Sequence, residues 1–237
     1  MRERLTDVPE LLDAAHHDSA ELEQSLDQVA EVNRLLGGRR AVLRTLAPLL
    51  RLHGMLRILD VGTGSADIPL AIARRPRAAQ SAVQITATDV HPQMREVAAR
   101  RTAGTGIAIG AADARALPYR SGSFDVVLLS LTLHHFERPD QIATLREAAR
   151  VAKHAVLVNE LERCAANYLG ARFLAATRWR SNRLTKHDGP LSVLRAFTRT
   201  ELLELADAAG LTVRRLERMF FFRLVLLADG AVDHRIS

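Results

Sequence analysis

Ile58-Leu59-Asp60-Val61-Gly62-Thr63-Gly64-Ser65-Ala66-Asp67 decides the fold of this 237-residue chain. An apolar run ends in two glycines one residue apart, and helix-compatible residues follow. The stretch reads as a buried strand, a tight turn and the start of a helix. Gly62 and Gly64 allow positive φ and let a ligand approach the backbone closely. Taken alone, the turn is equally a nucleotide-type binding loop or a plain tight turn.

Downstream the pattern alternates. Val83–Ala87 is a second strand, and Pro92–Arg101 a helix with Pro92 in its first turn. Ile107–Ile109 is a short third strand. Asp125–Ser130 is nearly all apolar, as a strand buried on both faces should be. A helix over Pro139–Ala152 and a strand over Ala155–Asn159 follow. This alternation predicts a parallel, doubly wound α/β sheet. Leu211–Arg218 and Phe220–Ala228 read as two strands with almost no loop between them, which requires an antiparallel pair. The run Phe220-Phe221-Phe222 is expected inside that last strand, with alternating burial.

Upstream, residues 1–54 read as helices forming an N-terminal cap, and 55–237 as the main domain. Leu22, Leu26, Val29, Val32 and Leu36 make one apolar stripe behind an Asp18-Ser19 cap. Residues 161–198 are less regular and are expected to be a lid or acceptor-binding segment.

Composition narrows the function classes. The net charge is +6, and almost every basic residue is arginine, lysine occurring only at positions 153 and 186. The group Arg172, Arg178, Arg180, Arg183 and Lys186 offers a footing for RNA. However, no dense basic block interleaved with aromatics appears, so solvated helix faces are favoured over nucleic acid. The single Cys164 excludes an intrachain disulfide and a cysteine-based zinc site. No cluster with metal-ligand spacing stands out, so no metal is expected. The N-terminus lacks a signal-peptide pattern, and the longest apolar run is broken by Arg223, so no membrane span is expected. A cytoplasmic protein is the default expectation. Oligomeric state is not legible.

Four further features carry chemistry. Asp89, 25 residues after Gly64, is placed to accept from a ribose diol or to cap the helix at Pro92. Asp113 follows the third strand and suits an exocyclic adenine amine, or is a solvated loop acid. Gly122-Ser123-Phe124-Asp125-Val126-Val127 leads into the fourth strand. Ser130-Leu131-Thr132-Leu133-His134-His135-Phe136 leaves it. The third glycine of a dinucleotide fingerprint is absent, Asp67 standing in its place, which weakens an NAD-dependent oxidoreductase reading.

Asp60-Val61-Gly62-Thr63-Gly64, Asp89, Asp113, Phe124-Asp125-Val126-Val127 and Leu133-His134-His135-Phe136 together resemble class I S-adenosylmethionine-dependent methyltransferases. The resemblance covers roughly residues 55–160 and is closest to the small-molecule branch that includes quinone-biosynthesis enzymes. It implies a Rossmann-like, seven-stranded, mostly parallel sheet with an antiparallel last strand. Ala66 stands where the family usually has a third glycine. Val32-Asn33-Arg34-Leu35-Leu36-Gly37-Gly38 and the stretch from Lys186 to Thr198 are similar to bacterial methyltransferases associated with type III polyketide synthases, which modify phenolic or quinone-like lipids.

The resemblance implies these roles. Gly62 and Gly64 pack on the methionine portion of S-adenosylmethionine, and Asp60 orients its amino end. Asp89 binds the ribose hydroxyls. Val90 and Ala114 sandwich the adenine, and Asp113 takes its amine. The backbone near Ser130 closes the methionine end. A phenolic acceptor, with pKa near ~10, needs a base. His135, just beyond the fourth strand, and His187, in the irregular segment, are the candidates. His134 and His135 are not expected to face the acceptor together. Glu160 is a site-facing acid or a cap of the next helix. The expected activity is methyl transfer to oxygen or carbon of a small aromatic, lipidic or not. The alternatives are an RNA methyltransferase and a non-catalytic cofactor-binding module.

Overall fold

The computed structural model describes residues 3–75, 82–219 and 221–230. Seven strands form one sheet: β1 (Met55–Val61), β2 (Ala82–Asp89), β3 (Ala108–Ala111), β4 (Phe124–Ser130), β5 (Ala152–Leu161), β6 (Val213–Met219) and β7 (Arg223–Asp229). Their order is β3-β2-β1-β4-β5-β7-β6. β1 to β5 run parallel, and β7 is antiparallel to both of its neighbours. The strand order therefore reverses between β1 and β4, the switch point where open α/β sheets bind ligands at their carboxyl ends.

The two-residue period of each strand splits the core into two layers. Ile58, Leu128 and Leu157 face α2 (Gly38–Leu52) and α3 (Asp67–Ala73). Leu59, Val127, Leu129 and Val156 face α5 (Arg138–Val151) and α8 (Arg199–Ala208). A continuous apolar run in β4 follows from burial on both sides. α4 (Pro92–Thr102) packs beside β2 and β3.

The N-terminal helices divide. α2 buries Val42 and Leu46 completely and shares its core with β1, β4 and β5. It forms a layer against the main body. α1 (Ser19–Leu35), capped by the Asp18 carboxylate on the Glu21 N–H, packs on both α2 and α7 (Arg183–Arg195). The strap preceding α1 is tied to α7 as well. The Asp188 carboxylate accepts from the Leu11 and Leu12 N–H groups at 2.8 and 2.9 Å, and the Leu5 N–H donates to the Leu194 carbonyl.

The segment 161–198 is more regular than its sequence implies. It holds α6 (Ala165–Ala176) and α7, packed on each other. Gly189 and Pro190 lie inside α7, where local propensity opposes a helix. The glycine is needed because a Cβ there would stand 2.4 Å from Cζ3 of the buried Trp179. Tertiary packing overrides propensity here. The phenylalanine run also departs from expectation. Phe221 and Phe222 are not strand residues; they form the β6–β7 turn with φ of 55° and 59°. Phe220 lies outside the described residues.

Candidate active site

The carboxyl ends of β1, β2 and β4 open into one cavity of about 710 Å³, roofed by α1, α6, α7 and the N-terminal strap. The glycine turn forms its floor. The Gly62 and Thr63 N–H groups both donate to the Thr88 carbonyl at 2.9 Å. Gly62 has φ of 72°, and a Cβ on it would stand 2.7 Å from Thr132 Cγ2, so only glycine fits. Ala66, at φ of 58°, leads into α3.

Asp60, Gly62, Gly64, Asp89, Val90, Asp113, Ala114, Ser130 and His135 all line this cavity. Asp60 is buried, and burial pushes its carboxyl up to about 7; the Thr63 hydroxyl opposes this, and the acids Asp67 and Asp89 add to it. The Asp89 oxygens accept from the Gly64 N–H at 2.8 Å and the His91 N–H at 2.9 Å. Asp89 thus joins the glycine turn to the start of α4 and still faces the cavity. Asp113 is held by Arg115, whose guanidinium and N–H both donate to it and keep its carboxyl below the usual range. Arg115 also reaches Asp140 at 2.8 Å, so an adenine amine at Asp113 would compete with an arginine. The Ser130 hydroxyl accepts from Asn159 Nδ2 at 2.8 Å.

The histidines depart most from expectation. His134 and His135 both line the cavity from the short 3-10 turn Leu133–His135, their rings tilted at 31° with centroids 4.4 Å apart. His187 does not line it: its side chain is 44% exposed and its Nδ1 sits 2.7 Å from Asp188 Oδ1, on the outer side of α7. A base at His187 has no path to an acceptor in this cavity. His135 reaches the cavity but is not a free base. Burial alone would lower its pKa, yet Glu10, Asp13 and Glu160 outweigh that and raise it to about 10. Its Nδ1 lies 2.8 Å from Asp13 Oδ1. At neutral pH it is an imidazolium.

His134 is differently placed. It is buried, with Nδ1 2.7 Å from Glu160 Oε2. Glu160 is fully buried, and burial would raise its pKa; His134, His135 and the Leu133 N–H more than reverse that, so it stays ionised. An ionised carboxylate only accepts, so a proton sits on Nδ1, between the two side chains. Nε2 is 3.6 Å from Glu10 Oε1, which itself accepts from the Ser192 hydroxyl at 2.8 Å. Ligand-type atoms of Glu10, His134 and His135 lie within 4.8 Å of one another. Arg195 ties this group together, donating to the carbonyls of Val8, His134 and His135. Glu10 and Asp13 carry no local motif in the sequence. His134 was legible only as a neighbour of His135.

The basic group at 172–186 is partly neutralised by α1. Arg178 pairs with Glu31 and Arg183 with Glu21, and Arg172 lies over the Tyr168 ring.

Residues 58–155 match the family model described as methyltransferase domain. Residues 58–155 are thus similar to a methyltransferase domain, and the sheet that holds them has the fold of class I S-adenosylmethionine-dependent methyltransferases. The resemblance read from the motifs and the sheet expected from it are both borne out. The ubiquinone/menaquinone biosynthesis C-methyltransferase UbiE of Geobacter sp. is 33% identical over 125 residues, 52% of this chain and 52% of that protein. The matched curated relatives are covered over only about a third to a half of their own length. Among solved structures, an O-methyltransferase from neocarzinostatin biosynthesis, in complex with S-adenosyl-L-homocysteine and 1,4-dihydroxy-2-naphthoic acid, superposes with TM-score 0.63 at 22% identity, over 90% of this chain and 59% of that one. The [4+2]-cyclase SpnF superposes with TM-score 0.63 at 20% identity, over 98% of this chain and 100% of that one. At these identities the structures speak for the fold alone. No helix among the described residues is long and apolar enough to cross a membrane.

Proposed function

We propose that this protein transfers the methyl group of S-adenosylmethionine to oxygen or carbon of a small phenolic acceptor, with His134 as the general base. The observation carrying this is that the glycine turn and His134, whose Nδ1 is paired with Glu160 behind it, line one continuous cavity. Its volume of about 710 Å³ lies in the upper part of the range of ligand pockets.

The residues fit the cofactor. Asp60 is a buried acid whose charged neighbours are acids, which suits an ammonium group. Asp89 stands between the glycine turn and α4 with both oxygens oriented by backbone N–H groups, which suits a diol. Gly62 lets the turn pack tightly against Thr132, and Gly64 beside it lines the cavity. When bound, S-adenosylmethionine supplies a methyl group already activated on a sulfonium.

The protein's own part is positioning and proton removal. His134 Nε2 takes the phenolic proton, and Glu160 stabilises the resulting imidazolium from the far side of the ring. The His135 imidazolium stands beside the acceptor and offsets the phenolate charge. The strap and α6 keep water from that charge. The base assigned from sequence to His135 or His187 thus moves to His134, with His135 as an electrostatic partner.

The test is incubation with labelled S-adenosylmethionine and a panel of phenols and naphthols. A labelled, methylated phenol supports the proposal. Conversion of an acceptor with no label transferred would place the protein with fold relatives that perform other chemistry. Steep salt-dependent RNA binding would restore the nucleic-acid alternative, which the Arg178–Glu31 and Arg183–Glu21 pairs disfavour.

A further inference from the structure

Arg223 opens β7 opposite Leu161 at the end of β5, and its side chain has no solvent exposure. It nevertheless lines the cavity. Its Nη2 donates to Asn33 Oδ1 at 3.0 Å, while Nε and Nη1 have no hydrogen-bond partner. A buried guanidinium left partly unpaired is costly, and an apolar side chain would fill the space without that cost.

The nearby acids do not relieve it. Asp67 and Glu160 act on Arg223 through space, but both are bonded elsewhere. Asp67 accepts from Asn33 Nδ2 and Arg39 Nε at 3.3 and 3.2 Å. Glu160 accepts from the Leu133 N–H and holds His134. Burial is the larger influence on Arg223 and lowers its pKa to about 10. The turn that delivers Arg223 is strained as well. Phe221 and Phe222 both line the cavity with left-handed backbones, a conformation that costs roughly 1–2 kcal/mol for a residue with a side chain. Such strain concentrates where a ligand is held.

We propose that Arg223 is the receptor for a ligand carboxylate, taken on the guanidinium nitrogens that the protein leaves unpaired. Planar charge-assisted recognition of carboxylate is what a guanidinium does best. The carboxylate comes from one of two sources, the amino-acid end of the cofactor or an acid group on the acceptor. Phe173 and Phe221 line the same cavity and are 67% and 57% exposed, so an acceptor held at its acidic end has an apolar exit for the rest of the molecule. This proposal rests on the reading of the cavity as a methyltransferase site.

Calorimetric titration of wild type, Arg223→Gln and Arg223→Lys separates the sources. The cofactor pair is S-adenosylhomocysteine against methylthioadenosine, which lacks the amino-acid end. The acceptor pair, titrated with S-adenosylhomocysteine present, is a hydroxynaphthoic acid against naphthol. If the cofactor supplies the carboxylate, Arg223→Gln weakens S-adenosylhomocysteine by more than about tenfold and leaves methylthioadenosine unchanged. If the acceptor supplies it, the same variant weakens the hydroxynaphthoic acid and spares naphthol. Arg223→Lys keeps the charge and recovers part of the loss. All four ligands binding Arg223→Gln as they bind wild type would overturn the proposal. Should that variant not fold, wild type is titrated with the carboxamides of both acids, and undiminished affinity overturns it equally. Failure of the functional reading looks different: wild type then binds neither nucleoside, which removes this proposal with it.

Discussion

Glu160→Gln isolates the base. The substitution keeps the shape of the side chain, and its carbonyl oxygen can still accept from the Leu133 N–H, now 2.8 Å from Oε1. The other end then presents an amide N–H₂ to His134 Nδ1, 2.7 Å from the present Oε2. Two donors cannot share that contact, so His134 must move its proton from Nδ1 to Nε2. The nitrogen facing the acceptor then becomes a donor and no longer accepts the phenolic proton. Base catalysis of this kind contributes roughly 10²–10⁴-fold, and turnover should fall by about that much. S-adenosylhomocysteine affinity should stay within about threefold of wild type, because Glu160 does not line the cavity. Turnover is read from labelled methyl transfer to a phenol, and affinity by calorimetry. A variant that keeps more than about a third of wild-type turnover would refute the role of His134. Loss of turnover and cofactor affinity together would point instead to a collapsed site.

Other perturbations test separate parts of the site. His135 has a pKa raised to about 10 in the folded chain, against about 6.5 unfolded. Its stabilising contribution is complete below ~6.5 and is lost as pH rises toward 10; urea melts from pH 6 to 10 should decline less steeply in His135→Gln, and an unchanged slope would count against the imidazolium. Asp60 is also raised, to about 7, but for an acid this destabilises the folded state once pH exceeds the unfolded value. Asp60→Asn should therefore stabilise the ligand-free protein at pH 8, by up to a few kcal/mol, while weakening S-adenosylhomocysteine; equal weakening of methylthioadenosine would contradict an ammonium role. Gly62→Ala introduces a Cβ 2.7 Å from Thr132 Cγ2 at a left-handed φ and should cost at least about 1–2 kcal/mol in denaturant melts, along with cofactor affinity. Chelators should leave turnover intact although Glu10, His134 and His135 come close enough to ligate an ion; loss on chelation with recovery on adding a metal would replace the base by a metal centre.

The parallel sheet was legible because strand–helix alternation and the apolar run of β4 are local patterns with one good physical solution. The gathering of Asp60, Gly62, Gly64 and Asp89 around one cavity was legible for the same reason: they sit at strand ends fixed by those patterns. The opposite wall of the cavity was not. Glu10 reaches the site across more than a hundred residues of chain, placed there by the ties from Leu11 and Leu12 to Asp188 and by the Ser192 hydroxyl. α7 was hidden by Gly189 and Pro190, whose propensities argue for a loop until Trp179 is seen packed on the glycine. Arg223 looked like an interruption of an apolar strand, whereas it is the buried charge at that strand's start. Phe221 and Phe222 carry strong strand propensity yet turn the chain, so a period-two pattern misassigned them.

The most direct measurement is mass spectrometry of the products formed from methyl-labelled S-adenosylmethionine and a phenolic acceptor. The predicted result is one labelled methyl group on the acceptor for each S-adenosylhomocysteine released, abolished in Glu160→Gln while S-adenosylhomocysteine still binds. Conversion of the acceptor with the cofactor's methyl group left in place would contradict methyl transfer as the function of this site.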